Sequence, residues 1–118
     1  MKKIIVIIAI SLFTASFAFA ADGTLTLDLD TTGLSVWGAK TGAASGTGLI
    51  GKTSTGVGIG MSTNAQGYGV ISQHKSGTRA FGSTHDSTAI YTTAVTAGAE
   101  VTVTLTSDVS SFDSWTTM

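Results

Sequence analysis

The segment from Gly46 to Thr53, GTGLIGKT, has the residue types and spacing that point most directly to chemistry. It matches the phosphate-loop pattern G-x-x-x-x-G-K-T, in which loop amides and a helix N-terminus hold nucleotide phosphates. That chemistry needs a buried strand before the loop and a helix that begins at the Lys-Thr pair. Residues 40–45 have no apolar strand pattern, and residues 54–60 contain too much glycine for a helix. We therefore predict that this segment binds no nucleotide.

Three titratable residues, His74, His85 and Asp86, are the remaining candidates for metal binding or acid–base catalysis. Two imidazoles and a carboxylate are suitable ligands for zinc or copper, but these lie in two separate predicted loops. Ser83, His85 and Asp86 have the residue types of a catalytic triad. However, adjacent His and Asp residues in an extended chain point in opposite directions, and no serine lies in a nucleophile-elbow motif. We expect no catalytic residue, no metal and no cofactor, and hence a protein that is not an enzyme.

The N-terminus carries the three parts of a secretory signal peptide. Lys2 and Lys3 precede an apolar run over residues 4–13, and Ala18-Phe19-Ala20 provides an A-x-A cleavage site. The predicted helical signal peptide spans residues 1–20, and cleavage after Ala20 leaves Ala21 as the mature N-terminus. We expect an exported protein that is extracellular or on the cell surface, with the periplasm as the alternative location.

The composition of the chain limits the classes of partner. The 118-residue sequence has six basic and seven acidic residues, and removal of residues 1–20 takes away Lys2 and Lys3 but no acid. The resulting negative charge argues against nucleic acid and anionic membranes, which attract clustered Lys and Arg. The chain has no cysteine, so disulfides do not stabilise it. A well-formed sheet, a bound ion or pairing with copies of itself must provide stability instead.

Two-residue periodicity dominates the chain after residue 20. Glycine alternates with apolar residues between Gly46 and Ser72, and the segments TLTLDLD and EVTVTLT alternate cleanly near the two ends. Proline is absent and threonine, which favours strands, is abundant. These patterns predict an all-β fold, an antiparallel β-sandwich or barrel of about eight short strands. A single domain is expected over residues 21–118, with a polar C-terminal tail from about residue 107. The predicted strands cover residues 24–30, 34–37, 49–52, 57–61, 68–72, 80–81, 88–95 and 100–106.

Self-association is the functional expectation that these features favour. The alternation over residues 24–30 places Leu25, Leu27 and Leu29 on one face of a terminal strand, which could complete the sheet of a neighbouring copy. Trp115 is a large apolar ring in the polar tail, as expected of a residue that docks on a partner or on the edge of its own domain. We therefore predict a structural subunit of a bacterial surface layer, fibre or extracellular matrix. The alternative is a secreted β-sandwich module that binds a glycan or another surface ligand through its aromatic residues.

Overall fold

The computed structural model describes residues 23–31, 33–37 and 48–118. The predicted signal peptide and the first two residues of GTGLIGKT lie outside these ranges. The described chain contains eight strands in antiparallel sheets and one short 3₁₀ helix, so the predicted all-β class is confirmed. Nowhere in these ranges is a helix long and apolar enough to cross a membrane.

The strands form a six-stranded sheet and a separate two-stranded sheet. The larger sheet has the order β1-β4-β5-β6-β7-β8, and the smaller one pairs β2 with β3. The 3₁₀ helix, Val109–Phe112, lies between β7 and β8 in the chain. The strand bounds are β1 Gly23–Leu25, β2 Ser35–Trp37, β3 Leu49–Lys52, β4 Val57–Thr63, β5 Tyr68–His74, β6 Arg79–Thr84, β7 Tyr91–Ala94 and β8 Thr116–Thr117.

Strands β4 to β7 form a meander whose tight connections follow from local hydrogen bonding. At the β4–β5 turn, the side-chain oxygen of Asn64 accepts hydrogen bonds from the amides of Gln66 and Gly67, both at 2.9 Å. This is the local bonding that makes asparagine a turn residue. At the β5–β6 turn, the Gly77 amide donates to the His74 carbonyl at 2.8 Å. These turns set the register in which Ile59, Ser72 and Phe81 lie side by side on neighbouring strands.

One face of the six-stranded sheet is lined by glycine, and we call it the glycine face. The strand register places four glycines of β4, β5 and β6 on this side, namely Gly58, Gly60, Gly69 and Gly82. Residues 26–29, residues 100–106 and the 3₁₀ helix pack over them. A Cβ atom on Gly69 would lie 2.2 Å from the Thr106 carbonyl oxygen, and one on Gly82 would lie 2.4 Å from the Phe112 ring. Glycine is needed here because any larger residue would push the covering chain away.

The hydrophobic core lies between the glycine face and the segments that cover it. Leu27, Ile71 and Phe112 form its buried centre. Partly buried apolar residues from the covering chain and from β7 pack around them, namely Tyr91, Val101, Val103, Leu105 and Trp115. The core is therefore made by one sheet and by extended chain, with side chains at alternate positions of residues 100–106 pointing inward.

The prediction of a strand over residues 100–106 is wrong, although the predicted inward face is the observed one. The segment forms no strand pairing because it crosses the glycine face and does not lie beside a strand edge. The buried Gln73 side chain provides hydrogen bonds in place of a ladder: it donates to the Ala99 carbonyl at 2.6 Å and accepts from the Val101 amide at 2.9 Å. A side-chain amide thus satisfies backbone groups that strand pairing would otherwise satisfy.

Candidate functional site

The N-terminal segment divides its three leucines between the two faces of the sheet. Leu25 in β1 pairs with Met61 of β4 and shares its face, opposite the glycine face. After Leu25 the chain leaves the sheet, and Leu27 and Leu29 are buried against the glycine face. The prediction of one continuous strand over residues 24–30 is therefore wrong beyond Leu25. The glycines of β4 offer a surface that the chain can approach more closely than a strand edge.

Gly58 is the centre of the contact between the N-terminal segment and the sheet. A Cβ atom at this position would lie 2.7 Å from the Asp28 carbonyl oxygen and 2.9 Å from side-chain carbons of both Leu27 and Leu29. The Leu29 amide donates to the Glu100 carboxylate at 3.2 Å, which joins the N-terminal segment to the other covering segment. These contacts hold residues 27–29 on their own domain.

Asp28 organises the turn that follows the buried leucines. Its carboxylate accepts hydrogen bonds from the Asp30 amide at 2.7 Å, the Thr31 amide at 3.0 Å and the Thr31 hydroxyl at 2.5 Å. The Thr31 hydroxyl, followed by the two amides, lowers the pKa of Asp28 below its ordinary value because these donors favour the charged carboxylate. The turn is therefore strongest while Asp28 is ionised.

An ion pair links the end of the N-terminal segment to the β5–β6 turn. The Lys75 ammonium lies 2.5 Å from the Asp30 carboxylate, and both side chains are largely exposed. The hydrogen bond to Asp30 raises the pKa of Lys75. Because exposed pairs of this kind are screened by solvent, the pair orients the segment and contributes little to stability.

Strand β4 extends well past its N-terminal partner. Strand β1 pairs only with residues Met61–Thr63, while β4 continues over four further residues, 57–60. Among the described strands, none pairs with residues 57–60 on that side. Within the described ranges, this part of β4 is a sheet edge without a paired strand, in line with β1, and we call it the β4 edge. Open edges of this kind can accept a further strand.

Trp115 docks on the edge of its own domain. Its ring centroid lies 4.9 Å from that of Phe112, and its amide donates to the Phe112 carbonyl at 2.8 Å. The tail that holds it contains the 3₁₀ helix, which is capped by Asp108 accepting a hydrogen bond from the Ser110 amide at 2.9 Å. Phe112 itself is only 1% exposed and stacks on Tyr91. Sequence reasoning missed Phe112 as a core residue; its spacing of three from Trp115 was the available signal.

The three titratable candidates do not come together. His74 ends β5 beside Val57, whereas His85 follows β6 and its amide bonds the carbonyl of Tyr68, the first residue of β5. Six strand residues at about 3.3 Å each put the two histidines roughly 20 Å apart. The Asp86 carboxylate accepts from the Val109 amide at 3.2 Å. In the part of the chain that the structure describes, no three His, Asp or Glu residues are grouped to hold a metal ion.

The Lys-Thr pair of GTGLIGKT lies at the end of strand β3. Residues Leu49–Lys52 form β3, and Lys52 is exposed. The buried Thr53 exchanges two hydrogen bonds with Leu34, at 2.9 Å through its amide and 3.0 Å through its hydroxyl. Strand and turn thus occupy the described residues at which a phosphate loop would begin its helix.

Comparison with models of protein families, with curated proteins and with solved structures finds no match. The functional interpretation therefore depends on the geometry of this chain alone. Its two features of functional interest are a terminal segment that covers the glycine face and, beside it, a β4 edge with which no described strand pairs.

Proposed function

We propose that the protein is an exported structural subunit, without enzymatic activity, that assembles with copies of itself through its N-terminal segment. The β4 edge is the observation that carries this proposal. Four residues of a seven-residue strand have no described strand beside them, directly after the point where β1 ends. A strand from another copy that extends β1 along this edge would satisfy its backbone groups and join the two sheets.

The contacts of the N-terminal segment are of a kind that two copies can exchange. Leu27 and Leu29 pack on a surface made by glycines of β4, and that surface is the same in every copy. If the segment of one copy docks on its neighbour, the same buried contacts form in trans, as in domain swapping. To leave its own domain, the segment would first break the short β1 pairing and the exposed Lys75–Asp30 ion pair.

The test uses mature protein beginning at Ala21, compared by sedimentation and negative-stain microscopy with a variant lacking residues 22–30. We expect mature protein to form concentration-dependent assemblies, because the N-terminal segment of one copy docks on β4 and the glycine face of the next. The truncated variant should lose them. A peptide spanning residues 22–32 should bind the truncated variant as a capped monomer and should block assembly of the full mature chain. Mature protein that stays monomeric at every concentration would refute the proposal.

The glycan-binding alternative is supported by one observation, the exposed ring of Tyr68. This residue begins β5, is 47% exposed and lies beside His85 with 6.2 Å between ring centroids. Exposed aromatic rings of this kind can stack on sugars. The same purified protein distinguishes the two functions: a monomer that binds polysaccharide, and that loses this binding on Tyr68→Ala substitution, supports the alternative.

A further inference from the structure

The face of the six-stranded sheet opposite the glycine face is apolar, and we call it the outer face. The strand register arranges its side chains in rows that cross the sheet. The central row contains Ile59, Ser72, Phe81 and Thr92, and the next row contains Met61, Val70, Ser83 and, by continuation of the β6–β7 register, Ile90. Phe81 is 38% exposed and Ile90 is 52% exposed. A sheet normally buries such a face against a second layer.

The distribution of apolar and polar side chains on the outer face resembles that of a protein–protein interface. The two central rows of this face hold no charged side chain, and Arg79 lies with His74 in the row at one end. Tyr68 lies in the row at the opposite end. An apolar centre with a polar rim is the pattern of specific interfaces between proteins.

The area of the outer face suits a second copy. Strand spacings of about 4.8 Å and residue rises of about 3.3 Å give a patch of roughly 25 Å by 20 Å, so two facing copies would cover about 1,000 Å² in total. That value is near the lower bound for a stable interface. The buried core of the described chain is centred on only Leu27, Ile71 and Phe112, so a second apolar layer would add substantially to it.

We propose that two copies pack their outer faces together around a two-fold axis that crosses the strands between the two central rows. This deepens the proposed self-assembling function and rests on it. The axis places Phe81 of one copy over Ser83 of the other and Val70 over Ser72, so that two large residues meet small ones, while Ile59 lies over Met61. A depression of about 240 Å³, lined by Val70, Ser72, Phe81, Ser83 and Ile90 among others, lies where the partner ring enters.

The same axis keeps the Arg79 side chains of the two copies at opposite ends of the interface. It reverses the strand direction, so the row with Arg79 and His74 meets the end of the partner sheet that carries Tyr68. Two copies related in this way repeat each contact twice, as an isologous interface requires. The occupant that fits the outer face is thus a second outer face, which would complete a sheet-on-sheet sandwich with layers about 10 Å apart.

Sedimentation of mature protein and two substituted forms tests this pairing. Phe81→Ser removes the ring that enters the partner, and Ile50→Ser is the control because Ile50 is 69% exposed on the separate β2–β3 sheet. We expect Phe81→Ser to weaken the dimer by at least about tenfold, as loss of a central aromatic anchor does. Ile50→Ser should leave the dimer unchanged, and circular dichroism should show both variants folded. Equal dimerisation by all three proteins would overturn the proposal.

Cross-linking gives a second measurement that keeps Phe81 in place. The chain has no cysteine, so Ser83→Cys introduces a single thiol beneath the partner ring, and Ser76→Cys places one in the exposed β5–β6 turn as a control. A short bis-maleimide should join Ser83→Cys into covalent dimers at protein concentrations that leave Ser76→Cys monomeric. Equal cross-linking at both positions would contradict the two-fold packing.

The outcomes separate this inference from the proposed function. If mature protein assembles through its N-terminal segment but Ser83→Cys does not cross-link, strand exchange stands and the face-to-face pairing fails. If Ser83→Cys cross-links while deletion of residues 22–30 leaves larger assemblies intact, the face-to-face pairing stands and strand exchange fails. A third outcome is that mature protein stays monomeric and co-sediments with phosphatidylcholine vesicles, whereas the Phe81→Ser variant does not. The outer face would then bind lipid, and the inference would be overturned.

Discussion

The two faces of the six-stranded sheet differ in their side chains and in what covers them. The glycine face has no side chain at Gly58, Gly60, Gly69 and Gly82, which surround the buried Ile71, yet it is the face that the chain buries. The outer face carries the larger apolar side chains of the same strands and keeps Phe81 and Ile90 exposed.

This difference shows that backbone approach can decide which face of a sheet is covered. Where glycines line the surface, extended segments come close enough for their carbonyl groups to touch the strands, and their leucines fill the space beside them. Large side chains on the outer face hold any second layer about 10 Å away, which suits another sheet better than a single extended segment. The chain therefore covers the glycine face itself, and we expect a second copy on the other face.

The largest expected difference in stability is between substitutions of two phenylalanines that lie on opposite faces of the sheet. Phe112→Ala should lower the free energy of unfolding by about 3–5 kcal/mol, because it empties the buried centre of the core beside Gly82. Phe81→Ala should cost less, about 1–2 kcal/mol in dilute monomer, because more than a third of that residue is already exposed to water. Urea unfolding at low protein concentration measures both, and equal losses would mean that the outer face is also buried in the monomer.

A second pair of variants tests how closely the covering chain approaches the glycine face. Gly69→Ala should destabilise the protein by about 1–3 kcal/mol, because its Cβ would meet the Thr106 carbonyl and the covering chain must move. Gly51→Ala in β3 is the matched control, since a Cβ there meets no atom within 4 Å. It should change stability by no more than about 0.5 kcal/mol. If thermal unfolding finds the two variants alike, the glycine face is not held in tight contact.

Acid should loosen the covering segments before it affects the central strands. Hydrogen bonds from Thr31 lower the pKa of Asp28, and hydrogen bonds from Ser110 lower that of Asp108, which caps the 3₁₀ helix. Because both values are depressed in the folded protein, the stabilisation is present above about pH 4 and is lost as pH falls through the lowered pKa values. Hydrogen exchange from pH 5 to pH 2.5 should show earlier loss of protection at residues 27–31 and 106–112 than in β5.

The variant Asp28→Asn is the control for this acid response. It removes the titrating carboxyl group and keeps an oxygen that can accept the Thr31 amide. Protection at residues 27–31 should then be weaker at neutral pH and nearly independent of pH, while residues 106–112 respond as before. An unchanged acid response at residues 27–31 would show that another group is responsible.

The sequence by itself determined the class of the fold and most of its strands. Strands β2 to β5 begin within one residue of the predicted positions, because their alternation and their Gly, Asn and Ser turns are local signals. The inward direction of Val101, Val103 and Leu105 was also readable, since it depends only on alternation of side chains along an extended chain.

Only the tertiary structure decided what those extended segments pack against. Residues 26–29 and 100–106 have the pattern of strands, but they lie across the glycine face and do not extend the sheet edge there, because four glycines from three strands meet on that face. The burial of Gln73 and Phe112 likewise requires partners from distant parts of the chain. A two-residue period states that a segment is extended and has two different sides; which surface each side meets depends on residues that are far apart in sequence.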